Sequence, residues 1–192
     1  MKPVSISVLT ICGISELPDQ SARSVTHVLS ILDPDHPDPD AFGAYDPHHR
    51  TVLRFHDAIQ PAPGVVLPEP EHLEAILRFG DDLARSRLER ANGHLLVHCH
   101  MGVSRSTAAM LTLMAQVHPG EAEDRLLEHL AEIRPQAWPN SRMVGFADEL
   151  LSRDGRLTEA LRRHYGRQIR RFPHFVELMR DLGRGREVEM AA

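Results

Sequence analysis

The clearest chemistry in the chain lies in Cys99, Arg105 and Ser106, within the stretch His98-Cys99-His100-Met101-Gly102-Val103-Ser104-Arg105-Ser106. A cysteine thiolate is a strong nucleophile, and it forms readily beside cations and helix N-termini. An arginine fork can hold two oxygens of one phosphate, which a lysine cannot do. Gly102 allows φ > 0 and a close approach of backbone to an anion. Residues of these types at this spacing suit nucleophilic attack on a bound phosphate monoester.

Such a loop needs a strand before it and a helix behind it. Leu95, Leu96 and Val97 read as a short buried strand. From Arg105, the run Ala108, Ala109, Met110, Leu111, Leu113, Met114, Ala115 and Val117 is apolar on nearly every side and stops at His118-Pro119-Gly120. That predicts a central helix wrapped by others. A loop between the two turns successive N–H groups inward, and the helix N-terminus adds partial positive charge.

Val97-His98-Cys99-x-x-Gly102-x-Ser104-Arg105-Ser106 resembles the signature loop of the cysteine-dependent protein tyrosine phosphatases, in their dual-specificity-like branch. Val25-Thr26-His27-Val28-Leu29-Ser30-Ile31-Leu32 is similar to a strand common in that branch, and Arg134-Pro135 through Pro139-Asn140 to the segment that packs behind its phosphate loop. The likeness spans roughly residues 4–152. It implies an α/β fold with a central, mostly parallel sheet flanked by helices, and a phosphomonoester hydrolase that works through a phosphocysteine and needs no cofactor or metal. It implies Cys99 as nucleophile and Arg105, with the loop positions His100, Met101, Gly102, Val103 and Ser104, as the binder of the phosphate oxygens. Ser106 would stabilise the departing thiolate. His98 and Asn140 would shape the site without touching substrate.

Dephosphorylation also needs a group that protonates the leaving oxygen and then activates water. Thr51 to Phe55 reads as a strand ending in His56-Asp57, ahead of a Pro-rich loop, where this family keeps its acid. Asp57 is the first choice and Asp46 the reserve, whereas Asp81 and Asp82 fall mid-helix. His94, His98 and His100 with Cys99 can also be read as a metal cluster. Strand alternation, however, puts His94 and His98 on one face, away from Cys99. The resemblance further implies that Cys12 could pair with Cys99 under oxidation, as in some relatives.

Elsewhere the pattern is that of one α/β unit. Val4 to Ile11 alternates like a first strand and lacks the length and cleavage site of a signal peptide. Pro18 to Ser24 reads as a turn or short helix, and His27 to Leu32 as a buried strand. Residues 33–49 carry four prolines and five aspartates and should form a loop without regular structure. Leu73, Ile76, Leu77, Gly80, Leu83 and Leu88 mark a helix from Pro70 to about Arg90, closed by Asn92-Gly93, and a further helix is expected over Glu121 to Arg134. Residues 1–152 are expected to form the phosphatase domain. Residues 153–192 are expected to form an Arg-rich helical extension packed on or trailing the same domain, with 10 Arg against 6 acids, read as a solvated, salt-bridged helix over Thr158 to Arg180, or alternatively as a dock for an acidic partner.

A net charge of −5 argues against nucleic-acid or membrane partners, and two cysteines make no disulfide framework, so a cytoplasmic setting is expected. A phosphorylated protein or a small phosphomonoester is the expected partner. The principal rival is a catalytically dead phospho-binding module; nucleotides, inositol phosphates and RNA 5′-phosphates also stand open as substrates. Rhodanese-like and arsenate-reductase-like enzymes use related loops but differ in Cys–Arg spacing or in placing the Cys near the N-terminus.

Overall fold

The computed structural model describes residues 5–85 and 92–192. Its centre is set by apolar runs that alternate with helices, the pattern of a parallel sheet. Strands β1 (Ser5–Cys12), β2 (His27–Leu32), β3 (His49–Arg54) and β4 (Asn92–His98) pair in the order β1-β4-β2-β3, all parallel. β4 therefore lies inside the sheet with neighbours on both edges, and every side chain of β2 is buried. Parallel strands covered on both faces read as continuous apolar runs.

The helices are α1 (Pro70–Arg85), α2 (Arg105–Val117), α3 (Glu123–Ile133), α4 (Ser141–Leu150), α5 (Arg156–Arg171), α6 (Phe175–Asp181) and α7 (Gly185–Glu189). α2 is buried from Arg105 to Ala115, as its apolar circumference predicts, and packs against α1, α3, α4 and the sheet. Leu29, Ile31, Leu95 and Val97 face this helical layer. The opposite sheet face, with Val28 and Leu96, is covered by Leu17, Ile14, Phe42 and Tyr45 from short 3-10 segments.

Several boundaries differ from the sequence reading. β3 starts at His49, whose ring stacks on His27 at 5.3 Å, and stops before the buried Phe55. A 3-10 turn, Asp40–Ala44, forms within the Pro- and Asp-rich loop. Asn92-Gly93 opens β4 instead of closing α1. Val4, and the expected end of α1 over 86–90 with Leu88, lie outside the described residues.

The C-terminal segment is not a single solvated helix. Pro173, with no N–H to donate, separates α5 from α6. Leu157, Ala160, Leu161 and Tyr165 recur at helical spacing and are buried with Phe175 and Met179 in the same core as the signature helix. The opposite face carries the arginines, with Arg163 2.6 Å from Asp124. Among the described residues no helix is long and apolar enough to cross a membrane.

Candidate active site

β4 ends at His98, and the loop beyond it is held by its carbonyls. His100 O accepts from Ile14 N at 2.9 Å, and Arg134 donates to Met101 O and Gly102 O, each at 3.0 Å. Val103 O accepts from Trp138 N at 2.8 Å and from Thr107 Oγ1 at 2.6 Å, and Ser104 O takes the first α-helical bond from Ala108 N. None of the N–H groups from Met101 to Ser104 donates a backbone bond among the described residues. Carbonyls tied outward and free N–H groups at a helix N-terminus make an anion cradle. Arg134 is itself fixed by a two-pronged pair with Glu16, at 2.8 and 2.9 Å.

Cys99 stands at the base of this cradle, buried, with Sγ 3.2 Å from the Ser106 hydroxyl. Arg105 is 3% exposed, and its Nη1 donates to Asp33 Oδ1 at 2.6 Å and to Phe55 O. Its buried Nε has no partner among the described residues. Asp33 also donates its backbone N–H to His100 Nε2 at 3.2 Å. Burial, with Arg105 beside it, pushes the His100 pKa down against the pull of Asp33.

The structure brings Asp57 to the same cavity, of about 980 Å³, and does not bring Asp46 there. The Asp57 carboxylate accepts from Ser104 Oγ at 2.7 Å, Asn140 Nδ2 at 2.9 Å and Arg184 Nη1 at 3.2 Å. Burial pushes this carboxyl up, but Arg184 and Arg105, with the bonds from Ser104 and Asn140, outweigh it and hold the group below the usual carboxylate range. Asn140 thus braces Asp57, and its Oδ1 caps α4 through Met143 N at 3.2 Å, while the loop itself is braced by Trp138 and Arg134.

His98 Nε2 lies 2.7 Å from Ser30 Oγ, and burial pushes its pKa down to about 4. His94 bonds Thr10 Oγ1 at 2.8 Å and the Arg23 carbonyl at 2.9 Å. His94 is thereby committed through both ring nitrogens and His98 through Nε2. Thr107 bonds back to its own helix turn. Cys12 is a buried free thiol, pushed up to about 12 by burial and by Glu16.

Sequence reasoning missed Asp33, Arg134 and Arg184. Asp33 had a signal, because it directly follows a strand of a parallel sheet, at the edge where such sheets carry their sites. Arg134 lies in the Arg-Pro segment already singled out. Arg184 had none, since it lies 127 residues from Asp57 in a segment outside the resemblance.

A parallel sheet delivers Cys-x5-Arg to the N-terminus of a buried central helix, and the chain shares this fold with solved phosphatase structures. No model of a known protein family matches the chain. It is similar to the human protein phosphatase Slingshot homolog 3, with 41% identity over 80 residues, covering 41% of this chain and 12% of that protein's length. Its fold is similar to that of human DUSP28, with TM-score 0.53, 22% identity and coverage of 76% of this chain and 94% of the other. The Yvh1 phosphatase domain of Chaetomium thermophilum is comparable, with TM-score 0.53, 23% identity and coverage of 78% and 93%.

Proposed function

We propose that the protein is a phosphomonoester hydrolase of the protein tyrosine/dual-specificity type. The observation that carries this is the cradle itself: carbonyls tied outward from His100 to Ser104, unbonded N–H groups between them, and the Cys99 sulfur at its base.

Cys99 attacks phosphorus in line while the loop N–H groups and the Arg105 fork hold the equatorial oxygens, stabilising charge in a preorganised, largely dehydrated site. The unpartnered Arg105 Nε is free for a phosphate oxygen, and Asp33 aims the guanidinium from behind. Ser106 Oγ donates to the sulfur as it regains negative charge when the phosphocysteine is hydrolysed. Asp57 gives a proton to the leaving oxygen and then takes one from the water that breaks the phosphocysteine. Two other carboxylates lie nearby but are engaged, Glu16 by Arg134 and Asp33 by Arg105. The substrate is a phosphorylated protein or a small phosphomonoester. Two free cysteines, one of them the nucleophile, support a reducing, cytoplasmic setting.

The test is hydrolysis of para-nitrophenyl phosphate in EDTA by wild type and Cys99→Ser. Loss of at least a thousandfold in the variant, with tungstate binding retained, is expected, since the nucleophile carries the reaction. Undiminished activity in Cys99→Ser overturns the reading. A wild type that binds tungstate and hydrolyses nothing is a phospho-binding module instead.

A further inference from the structure

The cavity that holds the cradle is larger than a phosphate needs. At about 980 Å³ it matches pockets that enclose a whole drug-sized ligand, and a phosphoryl group fills a small part of it. The rest is walled by the C-terminal helices, outside the stretch that carries the sequence resemblance. Phe175, Leu178, Met179 and Leu182 recur at helical spacing along α6 and its C-cap, and all line the cavity. This stripe is only half covered. Phe175 and Met179 are buried in the core, and Phe175 meets Trp138 edge-on with ring centroids 5.7 Å apart. Leu178 is half-buried and Leu182 is 53% exposed, and Met101 of the loop, in the same cavity, is 64% exposed. An apolar stripe left open beside a phosphate cradle is a place for an apolar side chain.

The charges of the cavity add a second contact. Four arginines line it. Arg105 is paired with Asp33 at 2.6 Å and Arg134 with Glu16 at 2.8 Å. Arg184 is paired with Asp57 at 3.2 Å and anchored by the buried Glu187 at 2.6 Å. Arg171, the last residue of α5, has no carboxylate partner among the described residues. It is exposed, and its guanidinium lies 5.2 Å from the centroid of the Phe172 ring, at the edge of the apolar wall. A guanidinium fork held over a ring with its donors free suits a carboxylate.

Resting on the phosphatase reading above, we propose that α6 and the end of α5 form a second subsite of the cleft that selects a phosphorylated peptide, through an apolar side chain set against Leu178 and Leu182 and a carboxylate set against Arg171. A peptide carries both groups on one chain, at fixed spacing from its phosphorylated residue. A small phosphomonoester carries neither. An anionic bilayer is disfavoured, because Glu177 and Asp181 are exposed on α6 beside Leu182 and the chain has a net charge of −5. The subsite holds parts of the peptide that do not react. Such contacts are alike in substrate and transition state, so they lower KM and leave kcat unchanged.

The experiment measures kcat and KM for peptides bearing a single phosphotyrosine, or a single phosphothreonine, in an alanine background. Leucine or asparagine is placed at each neighbouring position in turn, and aspartate or lysine is then placed beyond the best leucine. At one position leucine should raise kcat/KM over asparagine at least about tenfold, through KM. Beyond it aspartate should be preferred to lysine about threefold, the scale of an exposed ion pair. Leu182→Asn should bring the leucine preference within about threefold, and Arg171→Glu should turn the aspartate preference into one for lysine. Each preference is a ratio of two peptides on one protein, so any loss of folded material cancels. Equal rates for leucine and asparagine at every position overturn the proposal. So do preferences that survive unchanged in Leu182→Asn and Arg171→Glu, and so does a wild type that cleaves phosphatidate in neutral vesicles but no peptide. If para-nitrophenyl phosphate shows no hydrolysis that depends on Cys99, the phosphatase reading fails and this proposal with it. If that hydrolysis is present and the peptides are not distinguished, only the proposal fails.

Discussion

A Cβ on Gly102 would lie 2.4 Å from the Cys12 carbonyl carbon and 2.6 Å from Gly13 N, both backbone atoms at the end of β1. Its φ of +67 is also one that side chains rarely adopt. The loop is thus wedged directly onto the strand end, and neither partner is a flexible side chain that could yield. Gly102→Ala should cost about 1–3 kcal/mol or more in strain and open the cradle. The expected result is a lowered melting temperature together with tungstate affinity reduced at least about tenfold, read by calorimetry. Unchanged affinity would mean that the loop can rearrange around the new methyl.

At the scale of elements, Asn140 joins two tasks at the start of α4. Its Oδ1 caps the helix through Met143 N, and its Nδ2 donates to Asp57. The tasks are separable because serine is as good a cap as asparagine but too short to reach a distant carboxylate. Asn140→Ala should lose about 1 kcal/mol of stability by chemical denaturation. Asn140→Ser should recover most of that loss while the Asp57 carboxyl, deprived of one donor, titrates higher than in wild type. Its protonated form would then persist to higher pH, and the basic limb of kcat/KM would move up. Identical pH profiles for Asn140→Ser and wild type would remove Asn140 from the acid–base machinery.

The whole molecule keeps buried histidines neutral. Burial holds His98 and His164 near pKa 4 against an ordinary 6.5, one behind the signature loop and one where α5 meets the Ala137 carbonyl at 2.9 Å. Between those values the unfolded chain binds protons that the folded chain refuses. Stability is therefore fully present above about pH 6.5 and falls as pH drops toward 4, by about 1.4 kcal/mol per pH unit for each such histidine. His27 is held near 4 in the same way, so urea midpoints across this window should decline with a slope that corresponds to about three protons, and His164→Gln should remove about one. A flat profile would contradict the burial of these rings. The C-terminal helices belong to the same cooperative unit, because Tyr165 stacks on Trp138 at 4.3 Å and Glu187 bonds that indole.

Local sequence determined the parts whose physics is local. The strand–loop–helix around Cys99 and the burial of the central helix follow from apolar spacing, a glycine and the Cys-x5-Arg interval, all within a few turns of chain. Asp57 was legible as an acid at the end of a strand. The order β1-β4-β2-β3, the grip of Asp33 on Arg105 and the Arg184–Glu187 anchor were decided only by tertiary structure. Those contacts join residues far apart in sequence, and an arginine flanked by glycines near a chain end looks like any solvated charge until burial removes its water. Folding α5 to α7 onto the core desolvates Arg184 and leaves Asp57 and Glu187 as its counter-charges, and that is how a C-terminal helical segment comes to place a buried cation against the Asp57 carboxylate.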